Sequence, residues 1–313
     1  MFDTITNSAE TAKELVSLLS QSQADITHGF SEIIAQALED GLIAEIGEYV
    51  GAAFNHAPGA KANRPQRPLY ASDPGQLQYL ARTGAMKDAQ TIARDGYFTQ
   101  LFAWEEPLLD IVRENALLQG VPLADIRPIE GKILQTLIRA RSNAQEPTTV
   151  VEIGALAGYS AIYMALALPK NGKIYTCEVN PKHVEVARQN IMAAAQLFPE
   201  HHLAEKIIVL EGPANDTLRT TLATTQADLV FIDADKNGYP GYFSWAMQHL
   251  KDGGIVAAHN ASRGGRSHRP SVTADRAMHA MNWRFAHHSA LEGTGLNIND
   301  GLVISVKDGG LGR

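Results

Sequence analysis

Residues 151–160 read Val-Glu-Ile-Gly-Ala-Leu-Ala-Gly-Tyr-Ser, and Glu178 follows in Tyr-Thr-Cys-Glu-Val-Asn. Gly154 and Gly158 let backbone approach a ligand closely, and a helix start behind them offers unpaired N–H groups. The spacing is G-x-x-x-G, not the G-x-G-x-x-G of dinucleotide binders. No Gly-Lys-Ser/Thr follows, so a nucleotide phosphate loop is excluded. A carboxylate at the tip of a second strand can accept both hydroxyls of a ribose. The plainer reading is a tight strand-to-helix turn, with Glu178 capping the next helix. Further on, Asp233 in Phe-Ile-Asp-Ala-Asp-Lys and the pair His259-Asn260 each end an apolar run. Residues that end parallel strands open onto one crevice.

These residues need elements to position them. Two amphipathic helices are expected at 107–118 and 128–141. A strict alternation then begins. Strands are expected at 149–153, 173–179, 207–211, 228–233 and 254–258, and helices at 159–168, 181–198, 215–224 and 239–250. Short apolar runs alternating with helices mark βαβ units and a buried parallel sheet. At the end, 284–291 and 301–306 read as two antiparallel strands, with Glu-Gly-Thr-Gly and Asn-Ile-Asn-Asp between them as turn chemistry. Adjacent His287 and His288 would then point to opposite faces of a strand. The fold class is α/β, a doubly wound, mostly parallel sheet with antiparallel C-terminal strands and a helical N-terminal extension.

The extension, residues 1–104, has helical spacing at 11–19, 30–54 and 76–94, broken by a proline-rich basic stretch at 56–68. Its apolar stripe from Ile33 to Ile46 needs a partner to bury it, which suggests a pocket cover and a homodimer contact. Residues 105–313 form the core domain. The 27 basic and 34 acidic residues give a net charge of −7, which argues against nucleic acid. A single cysteine, Cys177, fits a reducing cytoplasmic setting. The start lacks the basic lead and apolar stretch of a signal peptide. No uninterrupted apolar run reaches the length of about 18 residues that a membrane span needs.

The turn at 151–161 together with Ile174-Tyr-Thr-Cys-Glu-Val-Asn-Pro resembles the S-adenosylmethionine site of the caffeoyl-CoA and catechol O-methyltransferase-like family, class I methyltransferases that are usually cation-dependent. The similarity continues through Gly212-Pro-Ala214, Phe231-Ile-Asp-Ala-Asp-Lys236, Gly253-Gly-Ile-Val-Ala-Ala-His-Asn260 and Asp300-Gly-Leu-Val. It implies a Rossmann-like methyltransferase domain over 105–313. Glu152, Gly154, Gly158, Tyr159 and Ser160 would hold the methionine part of the cofactor, Glu178 the ribose and Gly212 with Ala214 the adenine, with Asp233 beside it. Ala214 is equally readable as a helix-start residue without a ligand.

The resemblance further implies a divalent cation on Asp233, His259 and Asn260 that chelates adjacent oxygens of the acceptor and lowers the hydroxyl pKa. Lys236 would take the proton or stabilise the oxyanion, unless it is a solvated loop lysine. Here His259 replaces the family's second Asp. Three outcomes follow. Either metal stays, as Mg, Mn or a softer ion, or His259 is itself the general base on an O- or N-acceptor, or it is a satisfied histidine without a role. A second departure is Arg127-Pro128, where relatives carry Ser or Thr before the Pro. Arg127 would repel a cation but could clamp a substrate anion. Tyr239 would wall the substrate pocket or simply pack. The Arg263-containing loop at 260–270 reads as a positively charged lid. The expected function is therefore methylation of a small polar or anionic acceptor, catechol- or enediol-like. Two alternatives stand beside it: a metal-independent methyltransferase, and a cofactor-binding module without catalysis.

Overall fold

The computed structural model describes residues 99, 101–103, 105–122, 124–143 and 146–309. The expected helices at 11–19, 30–54 and 76–94, the linker between them and the pocket-cover and dimer roles of the extension lie outside the described residues.

The described chain begins with helices α1 (Pro107–Leu118) and α2 (Pro128–Arg141). Each starts at a proline, whose fixed φ suits the first helical turn and whose missing N–H costs nothing there. The alternation then runs β1 (Thr149–Ile153), α3 (Tyr159–Ala165), β2 (Lys173–Glu178), α4 (Pro181–Leu197), α5 (Leu203–Lys206), β3 (Ile207–Glu211), α6 (Ala214–Arg219), β4 (Ala227–Ile232), α7 (Tyr239–His249) and β5 (Leu250–His259). Helix α8 (Thr273–His287) and strands β6 (Leu291–Leu296) and β7 (Leu302–Lys307) complete it. The sheet order is β3-β2-β1-β4-β5-β7-β6. The first five strands pair in parallel, and β7 runs antiparallel to both β5 and β6.

The helices sort into two mutually packed groups, α1–α5 and α6–α8, which cover the sheet. Central strands enclosed in this way are apolar on both faces, and every residue of β4 is buried. Val151, Ile153, Val230, Ile232 and Val256 form one core with Tyr239, Phe243 and Trp245 of α7 and Met278, Met281 and Phe285 of α8. The chain reverses strand order between β1 and β4, so the carboxyl ends of those two strands frame the crevice where such sheets bind ligands.

One stretch departs from expectation. Residues 284–287 end helix α8, and its strand partner starts only at Leu291. Met278, Met281 and Phe285 are spaced three and four apart, a helical stripe that the two neighbouring histidines obscure. His287 is the last helical residue and His288 its C-cap, so the opposite-face argument for that pair does not apply. The Glu292-Gly-Thr-Gly run is strand, not turn. Gly293 lies so close to β7 that a Cβ there would sit 1.9 Å from Ser305 Oγ, a close backbone approach that only glycine permits.

Candidate active site

The turn after β1 is wound tightly. Gly154, Leu156 and Gly158 have φ of 107°, 49° and 84°. At Gly154 any side chain is excluded, because a Cβ would lie 2.1 Å from the Asp233 carbonyl oxygen. The turn therefore lets the ends of β1 and β4 meet, with Asp233 N–H donating to Ile153 O at 2.9 Å. Glu178, at the tip of β2, faces the same turn. Its Oε2 accepts the Leu156 N–H and its Oε1 the Asn180 N–H, each at 2.9 Å. These bonds fix the carboxylate while leaving it lone pairs for a ligand.

A chain of polar side chains crosses the far side of the crevice. His259, at the end of β5, is 3 % exposed. Its Nδ1 lies 2.9 Å from Asp233 Oδ2, and its Nε2 lies 2.9 Å from Glu130 Oε1. Glu130 belongs to the first turn of α2, where its Oε2 accepts the Arg127 N–H at 2.7 Å and the Asn299 amide at 3.2 Å. Lys236 Nζ donates to Asp233 Oδ1 at 3.1 Å and to Tyr239 OH at 2.7 Å, and that hydroxyl donates onward to the His259 carbonyl at 3.1 Å.

Burial disfavours a charged His259, but the carboxylates of Glu130 and Asp233 outweigh it and raise its pKa to about 10. Burial likewise works against ionised Asp233, yet His259 and Lys236 hold its carboxyl well below the usual range. Burial, with Asp233 nearby, keeps Tyr239 protonated. Under the turn, burial pushes Glu152 up to about 7 against the opposing hydroxyls of Ser160 and Thr176.

The crevice is a cavity of about 960 Å³. Its wall brings together Gly154, Ser160, Glu178, Ala214, Asp233, Lys236, His259 and Asn260, with Arg127 and Arg263 also lining it. Glu152, Gly158, Tyr159, Gly212 and Tyr239 are not on its wall. Tyr159 points toward α1, its hydroxyl bonded to Glu105 and its ring 4.2 Å beneath the Arg113 guanidinium. Asp235 orients the loop by accepting the Tyr242 hydroxyl and the Gly238 N–H. Glu130 and Asn299 are functional candidates that sequence reasoning missed. The one signal for Glu130 is its place as an acidic residue three positions after a helix cap, which reads as capping.

The sequence profile of O-methyltransferases matches residues 100–308. The chain belongs to the O-methyltransferase family. The catechol O-methyltransferase of Niastella koreensis is 32 % identical over 68 % of this chain and 95 % of its own length. The Bacillus cereus O-methyltransferase, solved in complex with SAH, superposes with a TM-score of 0.61 at 26 % identity, covering 69 % of this chain and 97 % of that one. A Streptomyces achromogenes O-methyltransferase involved in tomaymycin synthesis, solved with SAM, gives 0.60 at 26 % identity over 69 % and 96 %.

This O-methyltransferase uses S-adenosylmethionine, and the crevice suits it. The cavity is large enough for a nucleoside and an acceptor together, and the carboxylate of Glu178 is pre-oriented at the strand tip where ribose hydroxyls are taken. A divalent cation fits less well. A histidine ligates through a ring lone pair, and both nitrogens of His259 already face carboxylates. Both oxygens of Asp233 are also engaged, one by His259 and one by the Lys236 ammonium. Among the described residues no three His, Cys, Asp or Glu side chains are arranged to hold a metal ion.

Proposed function

We propose that this O-methyltransferase methylates a small polar, negatively charged acceptor with adjacent oxygens, catechol- or enediol-like, and that Lys236 is the group that handles the hydroxyl proton. The observation that carries this reading is the placement of Lys236 Nζ. An amine nitrogen has three hydrogen-bonding positions beyond its own carbon, and Asp233 and Tyr239 take two of them. The third is left for the acceptor oxygen, and Lys236 lines the same cavity as Glu178.

Glu178, the Gly154 turn, Ser160 and Ala214 hold S-adenosylmethionine, whose sulfonium presents an electrophilic methyl group. Lys236, an ammonium in the resting cluster, must first release one proton to solvent; the amine so formed accepts the proton of the acceptor hydroxyl and, again as the ammonium, holds the oxygen in place. Asp233 and Tyr239 keep the lysine nitrogen at the reacting oxygen, so the gain is in orientation as well as proton transfer. His259 is not the base: it is buried between two carboxylates and carries its proton at neutral pH.

The mouth supports a charged acceptor. Arg263 and Arg266 each place Nε 3.4 Å from Oδ1 of the fully buried Asp275 at the start of α8. Tethered through Nε, each guanidinium keeps its two terminal nitrogens for an anion. The name of the Niastella koreensis relative, catechol O-methyltransferase, supports the adjacent oxygens but not the charge.

Lys236→Met is expected to lower kcat on 3,4-dihydroxybenzoate by roughly a hundredfold or more, with S-adenosylhomocysteine affinity unchanged. A variant that keeps its full rate moves the proton acceptor elsewhere.

A further inference from the structure

Glu130, His259 and Asp233 form a buried line of acid, imidazole and acid in which every inward-facing polar atom of the three has a partner. Glu130 is fully buried, and His259 nearly so. An imidazole with a carboxylate oxygen 2.9 Å from each nitrogen must donate on at least one side. A lone pair on the other side would face a second carboxylate, and this repulsion is removed only by a proton there. A proton shared between Nε2 and Glu130 removes it, and the pull of the two acids on the ring, which raises its pKa to about 10, places that proton on the imidazole, which then donates to both.

The charges then close without any ion. Glu130 and Asp233 are matched by His259 and Lys236, two negative groups by two positive ones, in a space where an unmatched charge is costly. A divalent cation would add two positive charges to a balanced cluster and find no carboxylate oxygen of Asp233 unoccupied by a cation. Arg127, at the cap of α2 and on the cavity wall, meets Glu130 through its backbone N–H.

We propose that this enzyme has a built-in charge in place of the divalent cation that its sequence resemblance implies: His259, clamped between Glu130 and Asp233, supplies the positive charge at the ends of β4 and β5, and methyl transfer proceeds without a metal. The inference rests on the methyltransferase reading of the same crevice. His259 acts here as a positioning residue. Its bond to Asp233 Oδ2 leaves Oδ1 to hold Lys236, and its bond to Glu130 ties the strand end to α2. In the transfer itself Lys236 has first released one proton to solvent, and the acceptor O–H bond breaks with its proton going to the lone pair so freed. The oxygen's electron pair forms the new bond to the methyl carbon, and the carbon–sulfur bond breaks with its pair kept by sulfur. The balance needs no ion.

The test uses the full-length protein stripped with EDTA. S-adenosylhomocysteine is titrated first by calorimetry, and its failure to bind would count against the methyltransferase site without touching the ion question. Mg²⁺, Mn²⁺, Ni²⁺ and Zn²⁺ are then titrated into the chelator-free protein. The expected result is no stoichiometric binding of any of them, and turnover of 3,4-dihydroxybenzoate that stays within about twofold with and without EDTA. Stoichiometric binding of any of these ions that disappears in Asp233→Ala, or activity abolished by EDTA and restored by an ion, overturns the proposal. In His259→Asp, where the imidazolium is replaced by a third carboxylate, Mg²⁺ or Mn²⁺ is expected to bind and turnover to become EDTA-sensitive. A variant that retains S-adenosylhomocysteine affinity yet stays blind to ions removes His259 from the explanation. If that variant does not hold S-adenosylhomocysteine, the wild-type titration alone decides.

Discussion

His259 sits between two acids that raise its pKa, and this has a consequence for stability. Its value in the unfolded chain is near 6.5, whereas in the fold it reaches about 10. A raised pKa means the folded state binds the proton more tightly. The contribution of this triad is thus fully present below about pH 6.5 and is lost as pH rises toward about 10. Urea unfolding from pH 6 to pH 10 is expected to show wild type losing stability more steeply than His259→Gln. Parallel curves would mean that the imidazole gains nothing from its neighbours. At this scale the sequence was partly legible. Asp233, Lys236, His259 and Asn260 end their strands or follow them closely, and strand ends in such sheets share a crevice. Glu130 was not legible, because nothing local to α2 says that its carboxylate reaches a residue 129 positions away.

Elements place these residues, and the turn between β1 and α3 is the least tolerant of them. Gly154 has both a positive φ and a carbonyl at 2.1 Å from where a Cβ would stand. Gly154→Ala is expected to cost about 2 kcal/mol or more, read as a lower urea midpoint. Activity should fall with it, since the clashing carbonyl belongs to Asp233. An alanine variant with wild-type stability would show that the turn can open without loss. The parallel strands were readable because enclosure on both faces makes them short apolar runs, and the turns between them hold glycine and proline. Helix α8 was read in part as strand for an equally physical reason. Its large buried apolar residues are Met278, Met281 and Phe285, and its exposed face carries Trp283, which is 59 % exposed and stacks on His287. That exposed aromatic breaks the alternation of apolar and polar faces by which a helix is recognised.

Across the whole molecule, the net charge of −7 opposes an anionic acceptor, while Arg127, Arg263, Arg266 and Lys236 line one cavity together with Asp125, Glu178, Asp233, Asp235 and Asp300. The approach of such an acceptor therefore depends on local attraction against a repulsive background. Raising ionic strength from about 0.02 to 0.2 M shortens the screening length to under about 10 Å. The KM for 3,4-dihydroxybenzoate should rise over that range, while that for neutral catechol stays level, and Arg263→Ala should weaken the salt dependence. Equal salt responses for both acceptors would remove charge from the recognition. No helix among the described residues is long and apolar enough to cross a membrane.

Glu130 also joins distant parts of the chain. It contacts His259 of β5 and Asn299 in the connection between β6 and β7, 129 and 169 positions later. During synthesis α2 leaves the ribosome long before either partner exists, so its buried carboxylate waits without a counter-charge until the last strands emerge. The set of contacts around Glu130 is complete only once Asn299 has been made. A chain that stops before β5 carries Glu178, the Gly154 turn and the Asp233 and Tyr239 partners of Lys236, yet lacks the imidazole and the amide that meet Glu130.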